Sequence, residues 1–399
     1  MKAFEVRPGV YWVGAVDWDL RSFHGYKTQR GTSYNAYLLL DQKVTLVDTV
    51  KAGFVDEMLA RIREVIDPAR IEVIVSNHVE MDHSGGLPRM LEVVPKATVV
   101  TTKQGEAGLR AHFKADWNFH RVESGAEMTI GKRTLRFFPC PMVHWPDSMV
   151  TYVPEDRLLL SNDGFGQHIA SAERFVDEFG FGIVMEEAAK YYANIVLPFG
   201  AQVQKLLLAL AGTQVDMIAT SHGLIWRDHL GDIIGAYKRW AANETLPKAV
   251  IIYDTMWHST EKMAWALREG LEAEGVPTMM GNLGTSHISD IMTHVLEARG
   301  ILIGTPTLNA RMFPTVAAAM TYIAGLRPEN RLGLAFGSYG WGKQGVRDVA
   351  EAIKQMGWGT PVEEVAVQWV PGADDLARVR EAGAEFARAV KGEQTAQDE

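Results

Sequence analysis

The pattern of apolar and polar positions changes near residue 245 and divides the chain into two parts. The first part alternates short β-rich runs with turns, and apolar residues recur at helical spacing in only a few stretches, such as FVDEMLARIREVI and QVQKLLLALAG. From Lys248 onward, five strand patterns alternate with helical ones. The polar, proline-containing segment AANETLPK, residues 241–248, is typical of a linker. We therefore predict two domains, residues 1–245 and 249–399.

The order of the patterns also predicts the α/β fold of each domain. Strands in succession followed by helices favour a layered sandwich with mixed sheets for the first domain. Regular strand-helix alternation favours a doubly wound parallel sheet for the second, with strands in KAVIIYD, VPTMMGN, GILIGTPT, RLGLAFGSY and VEEVAVQWV.

Composition and charge exclude several classes of function. The chain has 399 residues, of which 47% are apolar and 22% charged, as in ordinary globular proteins. The start of the sequence has no secretory pattern, and no stretch reaches the roughly 18 apolar residues of a membrane span, so we expect a cytoplasmic protein without a membrane partner. The formal net charge is -9, and neither domain is basic, which argues against binding nucleic acid.

The single cysteine limits the redox chemistry. Cys140 has no disulfide partner, and four cysteines are needed for the usual iron-sulfur site or a fused rubredoxin domain. We interpret Cys140 as a buried core residue. A chain that handles electrons with this composition must receive them from a separate carrier.

The stretch SNHVEMDHSGG carries four potential metal ligands within six positions: His78, Glu80, Asp82 and His83. It follows the apolar run IEVIV, and alternate residues leaving a strand converge on one side. A single histidine near a strand end is usually a cap, a turn residue or a surface group. This is how we interpret His112, His120, His168, His229, His287 and His294. Four candidates so close together favour a metal site over a solvated polar turn.

Three further candidates follow apolar runs elsewhere in the first domain. They are His144, Asp163 and His222. With Asp163 as a carboxylate bridge, the residues form two sets, His78, Glu80 and His144 on one metal and Asp82, His83 and His222 on the other.

The spacing HxExDH, with the later His, Asp and His, resembles the metallo-β-lactamase-like domain of flavodiiron proteins. Related zinc hydrolases carry HxHxDH, so Glu80 replaces a histidine. A carboxylate-rich set stabilises oxidised iron, whereas zinc has no redox chemistry to stabilise. The resemblance therefore implies two non-haem irons in a metallo-β-lactamase-like αββα sandwich.

Three loops of the second domain follow strands at the edge where a doubly wound sheet binds its ligand. Hydroxyl groups at the first loop precede a helix, whose N-terminus stabilises a phosphate, although such a turn is more often a plain cap. Aromatic residues between glycines in the last loop suit stacking on a flavin ring, the alternative being core packing. This part is similar to a flavodoxin domain and implies FMN. The candidate residues are Thr255, Met256, Trp257, His258, Ser259, Thr260, Pro306, Thr307, Leu308, Asn309, Ser338, Tyr339, Gly340 and Trp341.

The resemblance covers both domains and implies a reductase of O2 to water, of NO to N2O, or of both. It also implies electrons from rubredoxin or a similar carrier and a head-to-tail homodimer or a dimer of dimers. His24 and Tyr191 are candidates for donating hydrogen bonds or protons near the metals, and Trp145 and Trp341 for excluding water. Two alternatives remain open: a binuclear zinc hydrolase, and a flavodoxin-like electron carrier with a structural first domain.

Overall fold

The computed structural model describes residues 2–392. The chain forms two compact units. Within the described range, the first comprises residues 2–191 and 199–241, and the second comprises residues 192–198 and 242–392. Among the described residues, no helix combines the length and the apolar character needed to cross a lipid bilayer.

The first unit contains sixteen strands and eight α-helices within the described range. The strands are β1 Phe4–Arg7, β2 Val10–Trp12, β3 Ala15–Asp17, β4 Ser22–Phe23, β5 Tyr26–Lys27, β6 Thr32–Tyr34, β7 Tyr37–Leu39, β8 Val44–Val47, β9 Ile71–Val75, β10 Thr98–Thr101, β11 Phe119–Arg121, β12 Glu127–Thr129, β13 Thr134–Pro139, β14 Met149–Val153, β15 Leu158–Asn162 and β16 Met217–Thr220. The helices are α1 Val55–Val65, α2 Met81–Ser84, α3 Leu87–Val93, α4 Lys103–Phe113, α5 Val176–Phe179, α6 Phe181–Tyr191, α7 Gly200–Ala209 and α8 Leu230–Ala241.

Two mixed sheets form the centre of this unit. One has seven strands in the order β1-β2-β7-β8-β9-β10-β11, and the other has five in the order β12-β13-β14-β15-β16. The strands from β8 to β11 are parallel, as are β15 and β16, and the other neighbours in these two sheets are antiparallel. The prediction of a layered sandwich with mixed sheets is confirmed.

Apolar side chains on both faces of the larger sheet account for the layers. Val47 and Val75 pack in one cluster with Phe137 and Leu160 of the smaller sheet. Alternate residues of the larger sheet point the other way, and Ile74 packs in a second cluster against α1 and α3. Helix α1 contributes Met58, Leu59 and Ile62, which its helical spacing brings to one face. Burial on both faces explains why these strands are apolar throughout.

The second unit is a parallel sheet with helices. Its strands are β17 Leu246–Tyr253, β18 Thr278–Asn282, β19 Ala298–Gly304, β20 Thr307–Leu308, β21 Arg311–Met312, β22 Leu332–Tyr339 and β23 Val365–Gln368. Its helices are α9 Ser259–Ala273, α10 Ile288–Val295, α11 Pro314–Leu326, α12 Gln344–Gln355 and α13 Ala373–Lys391. The main sheet has the order β18-β17-β19-β22-β23, and every neighbouring pair is parallel. The predicted doubly wound sheet is confirmed.

Helices α9 and α13 pack against each other closely because each has a glycine at the contact. A Cβ atom on Gly270 would lie 2.1 Å from the backbone oxygen of Arg380, and one on Gly383 would lie 2.4 Å from that of Leu267. The pair buries Leu267 and Phe386 in the core of the unit. Any side chain at either glycine would separate the helices.

The structure differs from the predicted domain organisation at two places. The segment expected to be a linker is partly ordered structure, since α8 ends at Ala241 and β17 begins at Leu246. Residues 192–198 lie inside the predicted first domain but belong to the second unit. Asn194, in the π-helical turn Tyr192–Val196, donates a hydrogen bond of 3.0 Å to the backbone oxygen of Ser289 and accepts one of 2.9 Å from the Tyr322 hydroxyl.

Candidate metal centre and flavin cleft

Four side chains from three loops converge at one end of the sandwich. His78 and Glu80 follow β9, His144 follows β13, and Asp163 follows β15. One carboxylate oxygen of Glu80, Oε2, lies 3.3 Å from Nε2 of His78 and 3.2 Å from Nε2 of His144. The Oδ2 atom of Asp163 lies 3.7 Å and 3.3 Å from the same two nitrogen atoms. The four ligand atoms therefore surround a single point.

A second group forms on the other side of Asp163. Its Oδ1 atom lies 3.1 Å from Nε2 of His83 and 3.5 Å from Nε2 of His222. Asp82 completes the group, with one oxygen 3.4 Å from His83 and the other 3.2 Å from His222. The two oxygen atoms of one carboxylate thus face two different groups of ligands, which is the arrangement expected of a bridge.

The distances and the burial fit a pair of metal ions. Four ligands placed about 2.1 Å from one ion lie about 3.4 Å from each other in a tetrahedron, close to the separations seen in both groups. Within the described residues, seven buried side-chain atoms of these groups make no hydrogen bond: Nε2 of His78, both oxygens of Asp82, both ring nitrogens of His83 and both oxygens of Asp163. Buried polar atoms without partners are costly unless a cation binds them.

The electrostatics of the cluster also favour cations. Burial alone would lower the pKa of each histidine, but hydrogen bonds and charges from the neighbouring carboxylates outweigh it and raise the pKa of His78, His83 and His144 to about 10. Burial would likewise raise the pKa of Asp163, yet the histidines hold it well below its usual range. The carboxylates are therefore ionised, and metal ions can displace the protons that the histidines retain.

Outer hydrogen bonds orient two of the histidines. Nδ1 of His78 donates to Oδ2 of Asp147 over 2.9 Å, and Nδ1 of His222 donates to the backbone oxygen of Ser33 over 2.7 Å. Because Nδ1 keeps a proton in both rings, Nε2 is the nitrogen that faces the cluster and offers its lone pair to a metal ion.

The second unit has a cleft of about 700 Å³ at the carboxyl ends of its strands. The loops after β17, β19, β22 and β23 form it, and the order of the sheet reverses beside β17. Trp341 is 93% exposed and Trp257 is 86% exposed at its mouth. The hydroxyl oxygen of Thr255, in the loop before α9, is buried without a hydrogen bond among the described residues. Helix N-terminus, hydroxyl groups and open aromatic rings fit a phosphate-bearing flavin.

Comparisons with known proteins agree with both sites. Residues 32–223 match the ODP family beta lactamase model, and residues 251–383 match the flavodoxin model. A nitric oxide reductase of Moorella thermoacetica is 46% identical, with 96% of this chain and 97% of the relative covered. The solved rubredoxin oxygen:oxidoreductase of Desulfovibrio gigas is 40% identical with a TM-score of 0.96, covering 98% of this chain and 99% of that one. The flavodiiron protein of Giardia intestinalis is 35% identical with a TM-score of 0.96, covering 98% and 97%.

The chain belongs to the flavodiiron protein family. It is accordingly an oxidoreductase whose cofactors are two non-haem irons and FMN. The predicted order of a metallo-β-lactamase-like domain followed by a flavodoxin-like domain is confirmed.

This flavodiiron protein brings three further predicted residues to the metal cluster. Nε2 of His24 lies 2.6 Å from Oε1 of Glu80, the oxygen that faces away from His78 and His144. Tyr191 is fully buried, and its ring centroid lies 6.2 Å from that of His222. The Trp145 ring packs edge-on against His78 at 5.0 Å.

Two residues near the cluster were missed or misinterpreted from the sequence. His168 is neither a cap nor a surface group: it is fully buried, its ring lies 4.9 Å from that of His222, and its Nδ1 is 2.8 Å from the Thr32 hydroxyl. Burial holds the pKa of His168 well below its usual range, so the ring is neutral. Asp147 was not predicted, because its contact with His78 joins residues that are far apart in the sequence. The interpretation of His287 as a cap agrees with the structure, where it caps α10.

The cleft includes most of the predicted flavin residues. Its lining contains Met256, Trp257, Ser259, Pro306, Thr307, Asn309, Ser338, Tyr339, Gly340 and Trp341. It does not include Thr255, His258, Thr260 or Leu308, of which Thr260 lies behind the wall with its hydroxyl 3.1 Å from that of Ser338. The lining also contains five residues that were not predicted individually, Ala310, Gly342, Gln344, Trp369 and Val370, of which the first three lie in predicted loops.

Proposed function

We propose that this chain reduces O2 to water, NO to N2O, or both, at a diiron centre that receives its electrons through FMN. The observation that carries the proposal is the position of Asp163 between two groups of buried ligands, one facing each of its oxygen atoms. The names of the relatives, a nitric oxide reductase and a rubredoxin oxygen:oxidoreductase, support these substrates.

We assign one iron to His78, Glu80 and His144 and the other to Asp82, His83 and His222, with Asp163 between them. The presence of Glu80 in place of a histidine supports iron rather than zinc, because the added negative charge stabilises the ferric state. Three protein ligands and a shared carboxylate leave each metal with room for a small molecule.

When bound, two ferrous ions and reduced FMN together supply the four electrons that convert O2 to two waters, or the two that convert two NO molecules to N2O and water. The protein's own residues control access and protons. Trp145 packs against His78 and shields one side of the cluster. Nε2 of His24 donates a hydrogen bond to Oε1 of Glu80 and so holds the other oxygen toward the ligands. Burial raises the pKa of the Tyr191 hydroxyl well above its usual value, so this group keeps its proton as a donor.

For the second domain, we propose that the cleft lining and the loop before α9 bind FMN. Ser259 lies at the first turn of α9, where backbone N–H groups stabilise a phosphate. The exposed rings of Trp257 and Trp341 are suited to cover the flavin. We further propose rubredoxin or a similar protein as the electron donor, a homodimer as the working assembly, and residues 1–245 and 249–399 as the two functional domains. A cytoplasmic location stays a prediction.

The test combines metal analysis, flavin analysis and turnover. We expect the purified, anaerobically loaded protein to contain two irons and one FMN per chain, and to consume O2 or NO when supplied with reduced rubredoxin. Measuring both gases side by side on one preparation decides between the substrates. Two zinc ions, no iron and hydrolysis of a thioester or lactam would instead identify a zinc hydrolase. Turnover that persists in the His78→Ala and Asp163→Ala variants would favour an electron carrier with a structural first domain.

A further inference from the structure

The outer hydrogen bonds of the ligand histidines differ between the two groups. In the first group, Nδ1 of His78 donates to a carboxylate, Oδ2 of Asp147, over 2.9 Å. The same oxygen accepts a hydrogen bond of 2.7 Å from the backbone N–H of Val79. Asp147 is only 4% exposed, so its charge acts on His78 with little screening by water.

In the second group, no carboxylate among the described residues accepts a hydrogen bond from the corresponding ring nitrogens. Nδ1 of His222 donates to the backbone oxygen of Ser33 over 2.7 Å. Nδ1 of His83 is buried and makes no hydrogen bond within residues 2–392. A further buried carboxylate, Asp48, interacts with His83 through its charge alone, because its hydrogen bonds come from Asn77 and Asn162.

A carboxylate that accepts the outer N–H of a ligand histidine makes the inner nitrogen a stronger electron donor. Stronger donation stabilises ferric over ferrous iron. The hydrogen bond from His24 to Glu80 acts in the opposite direction, because it draws electron density away from a ligand of the same iron. The side chain of His24 is 66% exposed, so water screens it, whereas Asp147 is buried. The effect of Asp147 is therefore the larger.

We propose that Asp147 is a positioning residue that makes the two irons unequal, lowering the reduction potential of the iron held by His78 below that of its neighbour. This inference rests on the proposed diiron function and adds which iron is reduced last. The carboxylate fixes the proton on Nδ1 of His78 and anchors the backbone at Val79, so one residue sets both the geometry and the donor strength of this ligand.

The experiment compares the iron-loaded full-length protein with its Asp147→Asn variant. Asparagine keeps the shape and a hydrogen-bond acceptor for Val79 but removes the charge. An anaerobic potentiometric titration, followed by electron paramagnetic resonance of the half-reduced centre, measures the two one-electron potentials. In the variant we expect the lower potential to rise and the upper one to stay in place. A tenfold fall in the equilibrium constant for the half-reduced state corresponds to about 59 mV of convergence.

Asp48→Asn is the matched control. Asp48 is similarly buried, at 3% exposure, and accepts the backbone N–H of Asn77 as Asp147 accepts that of Val79. It removes a buried carboxylate without breaking a bond to a ligand histidine. Because the charge of Asp48 acts on His83 of the other group, we expect the Asp48→Asn variant to leave the lower potential in place, so that any shift falls on the upper one. If Asp48→Asn raised the lower potential as much as Asp147→Asn does, the loss of any nearby buried charge would explain the shift, and the proposal would be overturned. An Asp147→Asn variant in which neither potential moves, or both move together, would also overturn it.

Iron analysis separates this inference from the proposed function. A wild-type chain without two irons contradicts the diiron function itself. Two irons with unchanged potentials in Asp147→Asn contradict only the role of Asp147. If Asp147→Asn does not retain two irons, Asp147→Glu decides, because it keeps the charge and displaces the hydrogen bond. A shift confined to the lower potential then supports the proposal, and any other result overturns it.

Discussion

The metal cluster and the flavin cleft of this protein differ in burial and in the type of side chain that each offers to its cofactor. Of the seven side chains in the metal cluster, six are buried. Several of their ligand atoms make no hydrogen bond among the described residues. The cleft is open, and two of its three tryptophans, Trp257 and Trp341, are almost fully exposed. One site concentrates charge away from water, and the other presents surfaces for stacking.

This contrast follows from what each site must hold. Metal ions lose their water shell on binding, so the protein has to offer charged ligands at fixed positions, and burial keeps them strong. A flavin carries most of its surface as a flat ring, and stacking, a phosphate site and close backbone contacts suffice. We therefore expect the two sites to respond differently to substitution, and the following experiments test that expectation.

The largest effect is expected for Asp163→Asn. Because the two oxygens of Asp163 face both groups of ligands, the variant should lose both irons and all O2 or NO reduction while retaining FMN. The loss of iron affinity should exceed the roughly 10–100-fold change that follows removal of an outer hydrogen-bond partner. Metal and flavin analysis of the purified variant checks this. Asp116→Asn, at a carboxylate 87% exposed, is the control and should keep both cofactors.

A change of metal preference is expected for Glu80→His, which recreates the HxHxDH spacing. Histidine removes a negative charge from the cluster and loses the contact with His24, so ferric iron is stabilised less. Loading with equimolar iron and zinc should give mainly iron in the wild type and mainly zinc in the variant, as measured by elemental analysis. Glu80→Asp keeps the carboxylate and should still prefer iron. The same ratio of bound iron to bound zinc in all three proteins would show that the residue at position 80 does not select the metal.

A smaller effect is expected for Trp341→Ala in the open cleft. Stacking of an aromatic side chain on a flat ring is worth about 1–3 kcal/mol, so the Kd for FMN should rise by about 5- to 150-fold. The iron content should not change. Fluorescence titration of the flavin-free protein measures the Kd. Trp265→Ala, at a half-exposed tryptophan on α9 that does not line the cleft, should leave the Kd as it is.

The smallest effect is expected for Glu106→Gln, at an ion-pair cluster in which two arginines balance the carboxylate and no metal ion is needed. Hydrogen bonds from Arg121 lower the pKa of Glu106 to about 2, with Arg110 adding to the effect. Its stabilising effect is therefore present above the ordinary carboxyl pKa and is lost as the pH falls toward 2. The arginine side chains are 40% and 60% exposed, so the difference in unfolding free energy should stay below about 1 kcal/mol at pH 7 and vanish near pH 2. Urea unfolding at both pH values measures it. A loss of unfolding free energy well above about 1 kcal/mol at pH 7 would show that this exposed ion-pair cluster behaves like a buried one, against the expectation.

The sequence indicated the metal cluster because its ligands share a simple local context. Glu80, Asp163 and His222 each follow an apolar strand, and strand ends of a sandwich meet at one edge. Asp147 and His168 could not be recognised in this way. Their roles depend on contacts with His78 and His222 that are 69 and 54 residues distant along the chain, and no spacing records such contacts.

The flavin cleft was indicated less completely for a related reason. The three predicted loops each follow a strand, and the loops contain glycine, hydroxyl and aromatic residues that the sequence shows directly. Trp369 and Val370 follow β23 at the edge of the sheet. The backbone N–H of Trp369 donates to the backbone oxygen of Tyr339 over 2.7 Å, and its ring lies 6.2 Å from that of Trp341, which brings both residues to the cleft. These contacts depend on β23 lying next to β22 in the sheet, and the sequence does not give the order of the strands.

The short segment 192–198 has a consequence for anyone who divides this protein. A cut in the region 242–248 would yield a C-terminal fragment that lacks part of its own unit. The backbone oxygen of Ser289 and the hydroxyl of Tyr322 would then lose the amide of Asn194. A separately expressed flavin half therefore needs a graft or a replacement for these seven residues before its behaviour can represent that of the intact chain.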